Sequence, residues 1–230
     1  IAYNPDNLDG LGITSIHRLL SESKPDEYPL DMITHILGTD AHIVLGNYAK
    51  RMVTFDFGMK EAYREQFRKV MNQTPYYWNL FYTVPDQTAE GAYRVPEEEA
   101  PMQGGLNIIP LEIKGDNITV KLNGLSDDPN AGWEACLVTV DKDGNSSYSQ
   151  LFTDGEEMSI AANGAESAYI TVIGTPKKFV RENAFHKEKD SSYKNGEERR
   201  RYPYEFTMTG ADIVKSGGYS KSKGKAHPNG

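Results

Sequence analysis

Three histidines in the first fifth of the chain, His17, His35 and His42, are the side chains best suited to hold a metal ion. A zinc site on a helix takes two histidines one turn apart, with a glutamate beside the first to activate a water. Here His35 and His42 lie on either side of Gly38, and neither is followed by a glutamate, so no metal site and no catalytic set are expected in this chain. Cys136 is the only cysteine, which excludes an internal disulfide, and its Ala135-Cys136-Leu137-Val138 setting reads as a buried, inert thiol. Glu97, Glu98 and Glu99 on an extended segment would face alternate ways and read as a solvated charge run. Asp141-Lys142-Asp143-Gly144-Asn145 has the start of a calcium loop but not the later glycine and distal glutamate, which leaves a hairpin turn. The remaining candidates are aromatic: Tyr76, Tyr77 and Trp78 in a dense ring-bearing stretch, and Trp133 farther on. Such rings stack on a sugar or peptide, or pack domains together, and they are the candidate substrate-binding residues.

The elements that must position these groups change type between Thr83 and Gly105. Before this switch apolar residues recur every three or four positions; after it they alternate and are punctuated by Asp-Gly and Asn-Gly turns. Helices are expected over 13–21, 29–38, 40–52 and 59–71. Pro29 stands at a first helical turn, Gly38 at a stop, and Thr39 or Asp40 at a cap. Strands are expected over 106–113, 118–122, 133–141, 147–152, 158–161, 168–174 and 204–209, the spacing of a sandwich. The fold class is therefore α+β and multi-domain: a small, bundle-like helical lobe over 1–85, a linker segment over 86–105, an antiparallel β-sandwich over 106–210, and a flexible Gly/Ser/Lys tail over 211–230.

Composition narrows the function. A net charge of -8 argues against nucleic acid, since phosphate binding needs a cationic face and the best cluster, Arg199 to Arg201, is short. No apolar run approaches the roughly 20 residues of a membrane span, so no membrane partner is expected. The chain opens at Ile1 rather than Met and closes on linker-like sequence, the expectation being a fragment of a longer product.

Several segments, in order, resemble the C-terminal half of the Svx/AvrXca group of secreted, gluzincin-like zinc metallopeptidases, described as virulence or avirulence factors. They are Ile16-His17-Arg18-Leu19-Leu20-Ser21-Glu22-Ser23-Lys24, Tyr48-Ala49-Lys50-Arg51-Met52-Val53-Thr54-Phe55-Asp56, Tyr93-Arg94-Val95-Pro96 with Ala100-Pro101-Met102-Gln103, Asn107-Ile108-Ile109-Pro110-Leu111, the Val140 to Asn145 turn with Tyr148-Ser149, and Tyr202-Pro203-Tyr204. The family carries His-Glu-x-x-His, which this chain lacks, so no catalytic residue transfers. The resemblance implies a non-catalytic C-terminal portion of a secreted peptidase-like protein, with zinc held only by the full-length parent. Its partners would be the N-terminal catalytic half and an extracellular protein or glycan substrate. The alternatives are a carbohydrate-binding sandwich module using Trp133 or the Tyr76 to Trp78 group, and a purely structural or adhesion module.

Overall fold

A computed structural model describes residues 13–25, 27–57, 61–72, 78, 80–179 and 200–215. Among these residues four helices come first: α1 (Ile13–Glu22), α2 (Pro29–Leu37), α3 (Ala41–Met52) and α4 (Glu61–Asn72). Their boundaries follow local chemistry. Pro29 opens α2, where its missing N–H had no partner, and Gly38 closes it at φ 67°, a conformation that costs a residue with a Cβ. Asp40 caps α3 by accepting from the His42 backbone N–H at 2.9 Å.

Ten strands follow among the described residues: β1 (Asp86–Ala89), β2 (Ala92–Arg94), β3 (Leu106–Ile113), β4 (Asn117–Gly124), β5 (Trp133–Asp141), β6 (Ser146–Tyr148), β7 (Glu157–Ala161), β8 (Ala165–Gly174), β9 (Tyr204–Thr209) and β10 (Ala211–Ile213). They form two antiparallel five-stranded sheets, ordered β1-β2-β9-β4-β7 and β10-β3-β8-β5-β6. The protein is thus α+β, with a β-sandwich. The main core lies between the sheets: Ile118, Val120 and Leu122 from β4 and Tyr204, Phe206 and Met208 from β9 meet Ile109 and Leu111 from β3 and Ile170 and Val172 from β8. The first sheet turns its other face toward solvent, so in β4 the buried Ile118, Val120 and Leu122 alternate with exposed or half-buried residues.

The second sheet is covered on both faces. Cys136, Val138 and Val140 of β5 and Ile108 of β3 form a second apolar cluster with Val53, Phe55 and Tyr82. Leu45 and Ala49 of α3 pack on Ile173 of β8. This double cover explains why β5 is an almost unbroken apolar run. The change at Thr83–Gly105 is therefore one of element type, not a gap in the packing: α3 lies directly on β5 and β8.

Two expected boundaries are corrected. Residues 86–105 are part of the sandwich and not a linker, because β2 pairs with β9 and Met102 and Gln103 bridge to Arg201 and Gly174. The reading from sequence missed this because every residue of β1 is exposed and β2 is only three residues long, so neither shows alternation. Glu97–Glu99 form a 3-10 turn, not an extended run, and the Glu99 carbonyl accepts from Asn107 Nδ2 at 2.9 Å. The expected tail from 211 begins with β10, which pairs with β3 and buries Ala211 and Ile213.

Candidate functional site

The expected strand over 147–152 is interrupted, and the interruption makes the site. β6 ends at Tyr148, Ser149 still donates its N–H to the Leu137 carbonyl and accepts the Leu137 N–H on its Oγ, both at 3.0 Å, and the chain meets β5 again at Phe152, which bridges Ala135. Gln150 and Leu151 are thereby carried away from β5 and toward α3. A groove of about 540 Å³ opens between Ile43, Asn47 and Lys50 on α3 and Ser149 to Thr153, with Glu134 and Glu156 in its walls. Residues 43, 47 and 50 share one face because helical side chains stack at three- and four-residue steps. Gly46, on the turn between them, permits the close approach: a Cβ there would lie 3.3 Å from Glu134 Cβ.

Glu134 is the unusual group. It interrupts the apolar run of β5 on the face turned toward α3, it is half-buried, and it makes no hydrogen bond or ion pair among the described residues. Burial pushes its carboxyl up to about 7; His42 opposes the shift, while Asp40 and Glu156 add to it. Asn47, Lys50 and Gln150 likewise have no hydrogen bond or ion pair from their side chains among the described residues. The Lys50 ammonium lies 5.2 Å over the Tyr148 ring, one helical turn beyond Gly46. The groove is therefore lined by a carboxyl, an ammonium and two amides. Unmatched polar groups converging on a cleft, one with a shifted carboxyl, are the physical marks of a binding site.

The histidines do not meet. His35 Nδ1 is 2.9 Å from Glu27, His17 is exposed on α1, and His42 sits between Asp40 at 2.6 Å and the Pro176 carbonyl at 2.8 Å, its ring stacked on Phe179. Among the described residues no three His, Cys, Asp or Glu side chains converge on a metal position. Among the described residues, no such set is present for the zinc that the family resemblance implies for a parent protein. The Asp141 carboxylate accepts from the Asp143 and Asn145 N–H groups and from Asn145 Nδ2, and the bond from the Asn145 side chain leads the effects that hold it below its ordinary range. It is committed to the turn. Cys136 is buried, and burial pushes its thiol up, away from a reactive thiolate.

The aromatic candidates are not brought together. Tyr76 and Tyr77 lie outside the described residues. Trp78 is half-buried against the second apolar cluster, its ring 5.1 Å from Tyr82. Trp133 is 4% exposed, inside the sandwich, with Nε1 donating to the Tyr202 carbonyl at 2.9 Å. Placing Trp133 at a ligand surface is corrected by this burial: it is an odd-numbered β5 residue, and that face of the strand points into the core. The groove residues were not singled out from sequence. Glu134 alone carried a signal, a carboxylate within Trp133 to Val140; Asn47, Lys50 and Gln150 look like ordinary surface residues until the strand break is known.

Two packed antiparallel sheets with helices over one outer face, and a groove beneath α3, define an α+β protein with a β-sandwich. Residues 6–215 match the family model described as "Family of unknown function (DUF6055)", and the chain belongs to that family. No curated protein matches it. Among solved structures it is similar to the crystal structure of Yersinia pseudotuberculosis-derived mitogen (YPM), with 10% sequence identity and a TM-score of 0.34, over 55% of this chain and 86% of that one.

Proposed function

We propose that this chain is a non-catalytic, substrate-positioning portion of a secreted, zinc-peptidase-like protein, with the helical layer docking against a catalytic lobe and the sandwich side holding a protein substrate. One observation carries the reading: large exposed apolar side chains gather on the helical part. Leu20 on α1, Tyr63 and Phe67 on α4, and Leu80 are exposed, at 78%, 57%, 45% and 60%, whereas the sandwich exposes only Leu125 to a comparable degree among the described residues. A helix that shows apolar rings to solvent while its neighbours are packed is suited to cover another surface. The ordered resemblance to the Svx/AvrXca group supplies the nature of that surface, a peptidase lobe holding zinc through residues outside this chain.

The test is the encoded sequence upstream of Ile1 together with activity. The 230-residue chain is expected to bind no stoichiometric zinc and to leave casein intact. A product extended upstream is expected to contain His-Glu-x-x-His, bind one zinc and cleave casein. An upstream region without that motif, or peptide turnover by the 230-residue chain itself, would end the proposal.

A further inference from the structure

We infer that Asn163 is a self-modification site: the backbone nitrogen of Gly164 displaces its side-chain amide, and hydrolysis of the resulting ring leaves aspartate or isoaspartate in the turn between β7 and β8, loosening the edge strand β7. This goes beyond the substrate-positioning reading and does not depend on it.

The chemistry favours a glycine after the asparagine, because a side chain there would crowd the attacking nitrogen. The Gly164 nitrogen bonds to Asn163 Cγ and closes a five-membered succinimide. The bond from Cγ to the side-chain nitrogen breaks, and that nitrogen leaves as ammonia, taking the proton that the Gly164 nitrogen gave up. Water then opens one of the two carbonyl–nitrogen bonds of the ring. One opening restores the main chain with an aspartate. The other leaves the main chain running through the side-chain carboxyl carbon, one carbon longer, with the α-carboxylate as the new side group.

Four pairs of Asn or Asp followed by Gly lie among the described residues, and hydrogen bonding separates them. The Gly124 N–H after Asn123 donates to Asp154 Oδ1 at 2.7 Å, the Gly144 N–H after Asp143 donates to the Asp141 carbonyl at 3.0 Å, and the Gly155 N–H after Asp154 donates to the Leu122 carbonyl at 2.9 Å. Each of these must break a bond before its nitrogen can attack, and Asn123 is also held in β4 opposite Glu205 of β9. The Gly164 N–H and the Asn163 side chain and carbonyl have no hydrogen bond among the described residues. Both residues are exposed. The Ala165 N–H donates to the Ala162 carbonyl at 3.1 Å and Gly164 takes φ 83°, which makes a type II turn with Asn163 and Gly164 at its centre. The peptide unit between them can rotate while the closing bond is kept.

The consequence follows from what flanks the turn. On one side Ala162 is buried in the main core and donates its N–H to the Asp116 carbonyl at 2.7 Å; on the other, β8 is paired on both edges, with β3 and β5. A main chain longer by one carbon between these anchors, and an added carboxylate in a chain of net charge -8, disturb the weaker side. That side is β7, an edge strand paired with β4 alone.

The test incubates the 230-residue chain at pH 8, native and in urea, and maps the digested protein by mass spectrometry with isoaspartate resolved from aspartate. In the native chain Asn163 is expected to convert at least about tenfold faster than Asn123, the difference that one hydrogen bond from the attacking nitrogen to a carboxylate makes. In urea the two Asn-Gly pairs are expected to react at similar rates. Asn163→Gln is expected to abolish conversion at this position, since glutamine must close a six-membered ring, and to leave the urea midpoint unchanged because the side chain is exposed. In hydrogen exchange the isoaspartyl form is expected to exchange faster across β7 and unchanged across β3. Equal native rates at Asn123 and Asn163, or an Asn163 that stays intact in the native chain while the unfolded chain converts, would overturn the site. Unchanged exchange in β7 of the isoaspartyl form would overturn the loosening.

Discussion

Gly46 on α3 faces Leu151 so closely that a Cβ on the glycine would lie 2.8 Å from the Leu151 Cδ1 atom. The contact sets the separation between the helix and the strand break, and so the width of the groove. Gly46→Ala meets two opposed effects. Helix propensity favours alanine by about 1 kcal/mol, while Leu151, the end of a flexible side chain, must turn away, and Glu134 Cβ stands at 3.3 Å. The net change in stability is expected to stay within about 1 kcal/mol in chemical denaturation. Gly46→Leu cannot be absorbed that way. It is expected to lift α3 from β5 and to destabilise by about 1–3 kcal/mol.

Gly124 and Trp133 make the same kind of contact inside the sandwich, with the opposite tolerance. A Cβ at Gly124 would lie 2.4 Å from the indole ring, which is buried and held by its bond to the Tyr202 carbonyl. The ring has nowhere to move. Gly124→Ala is expected to destabilise by about 2–3 kcal/mol, and Trp133→Phe by a comparable amount through the lost hydrogen bond and the void. Since Trp133 is closed off from solvent, its fluorescence is expected to be insensitive to acrylamide and to added oligosaccharides. A glycan-induced spectral shift in a variant with Phe at position 78 would overturn that placement.

Much of the fold was legible because its periodicities are simple. Leu106–Ile113, Trp133–Asp141 and Tyr204–Thr209 are read from sequence with the bounds they adopt, since each is a β-branched and aromatic run closed by turn residues. α2 and α3 announce themselves through Pro29, Gly38 and Asp40. What was not legible depends on tertiary partners. The polar β1 exists because β2 pairs with it and with β9. The outward half of β5 is apolar because helices distant in sequence cover it, and the groove exists because Ser149 takes a strand hydrogen bond with its side chain. None of these leaves a local pattern.

Asn107 and Tyr204 join the two sheets through a polar contact buried at the rim of the core. The Tyr204 hydroxyl donates to Asn107 Oδ1 at 3.1 Å, and Asn107 Nδ2 donates to Thr83 Oγ1 at 3.0 Å and the Glu99 carbonyl at 2.9 Å. Burial holds the Tyr204 phenol well above its ordinary range, so it remains a donor throughout the working pH range. Asn107→Ala strips three bonds and leaves a phenol inside without a partner. It is expected to cost about 3–4 kcal/mol, and Tyr204→Phe only about 1–2 kcal/mol, because the phenylalanine removes the polar atom along with the bond. Equal losses in urea unfolding would show that the network is solvated.

Tyr148, by contrast, ties the loop after α3 to the edge strand β6. Its hydroxyl donates to Asp56 Oδ2 at 2.8 Å, the Arg51 guanidinium lies 3.5 Å from the same oxygen, and Thr54 Oγ1 meets Ser146 Oγ at 2.7 Å beside them. Phe55 in this loop takes φ 56°, unusual for a residue with a Cβ, and is held there by burial and by its stack on Phe67 at 4.7 Å. Tyr148→Phe is expected to destabilise by about 1–2 kcal/mol. In a double-mutant cycle with Asp56→Asn, the two losses are expected to fall short of additivity by at least about 0.5 kcal/mol. Strict additivity would mean that the hydroxyl and the carboxylate act independently.

Glu134 ties stability to pH, and the direction follows from its raised value. A carboxyl that titrates near 7 in the folded chain and near 4.5 when unfolded keeps its proton in the native state after the unfolded state has lost it. Between these values the unfolded state binds fewer protons, so rising pH favours unfolding, and the penalty is complete above about 7. Because the group is only half-buried, solvent screens the effect to about 1–2 kcal/mol. Glu134→Gln, close in shape to the protonated acid, is expected to leave stability unchanged at pH 4 and to raise it by that amount at pH 8. Urea unfolding of both proteins at the two pH values measures the difference. A variant less stable than the parent at pH 8 would mean that the Glu134 carboxylate is held by a favourable partner.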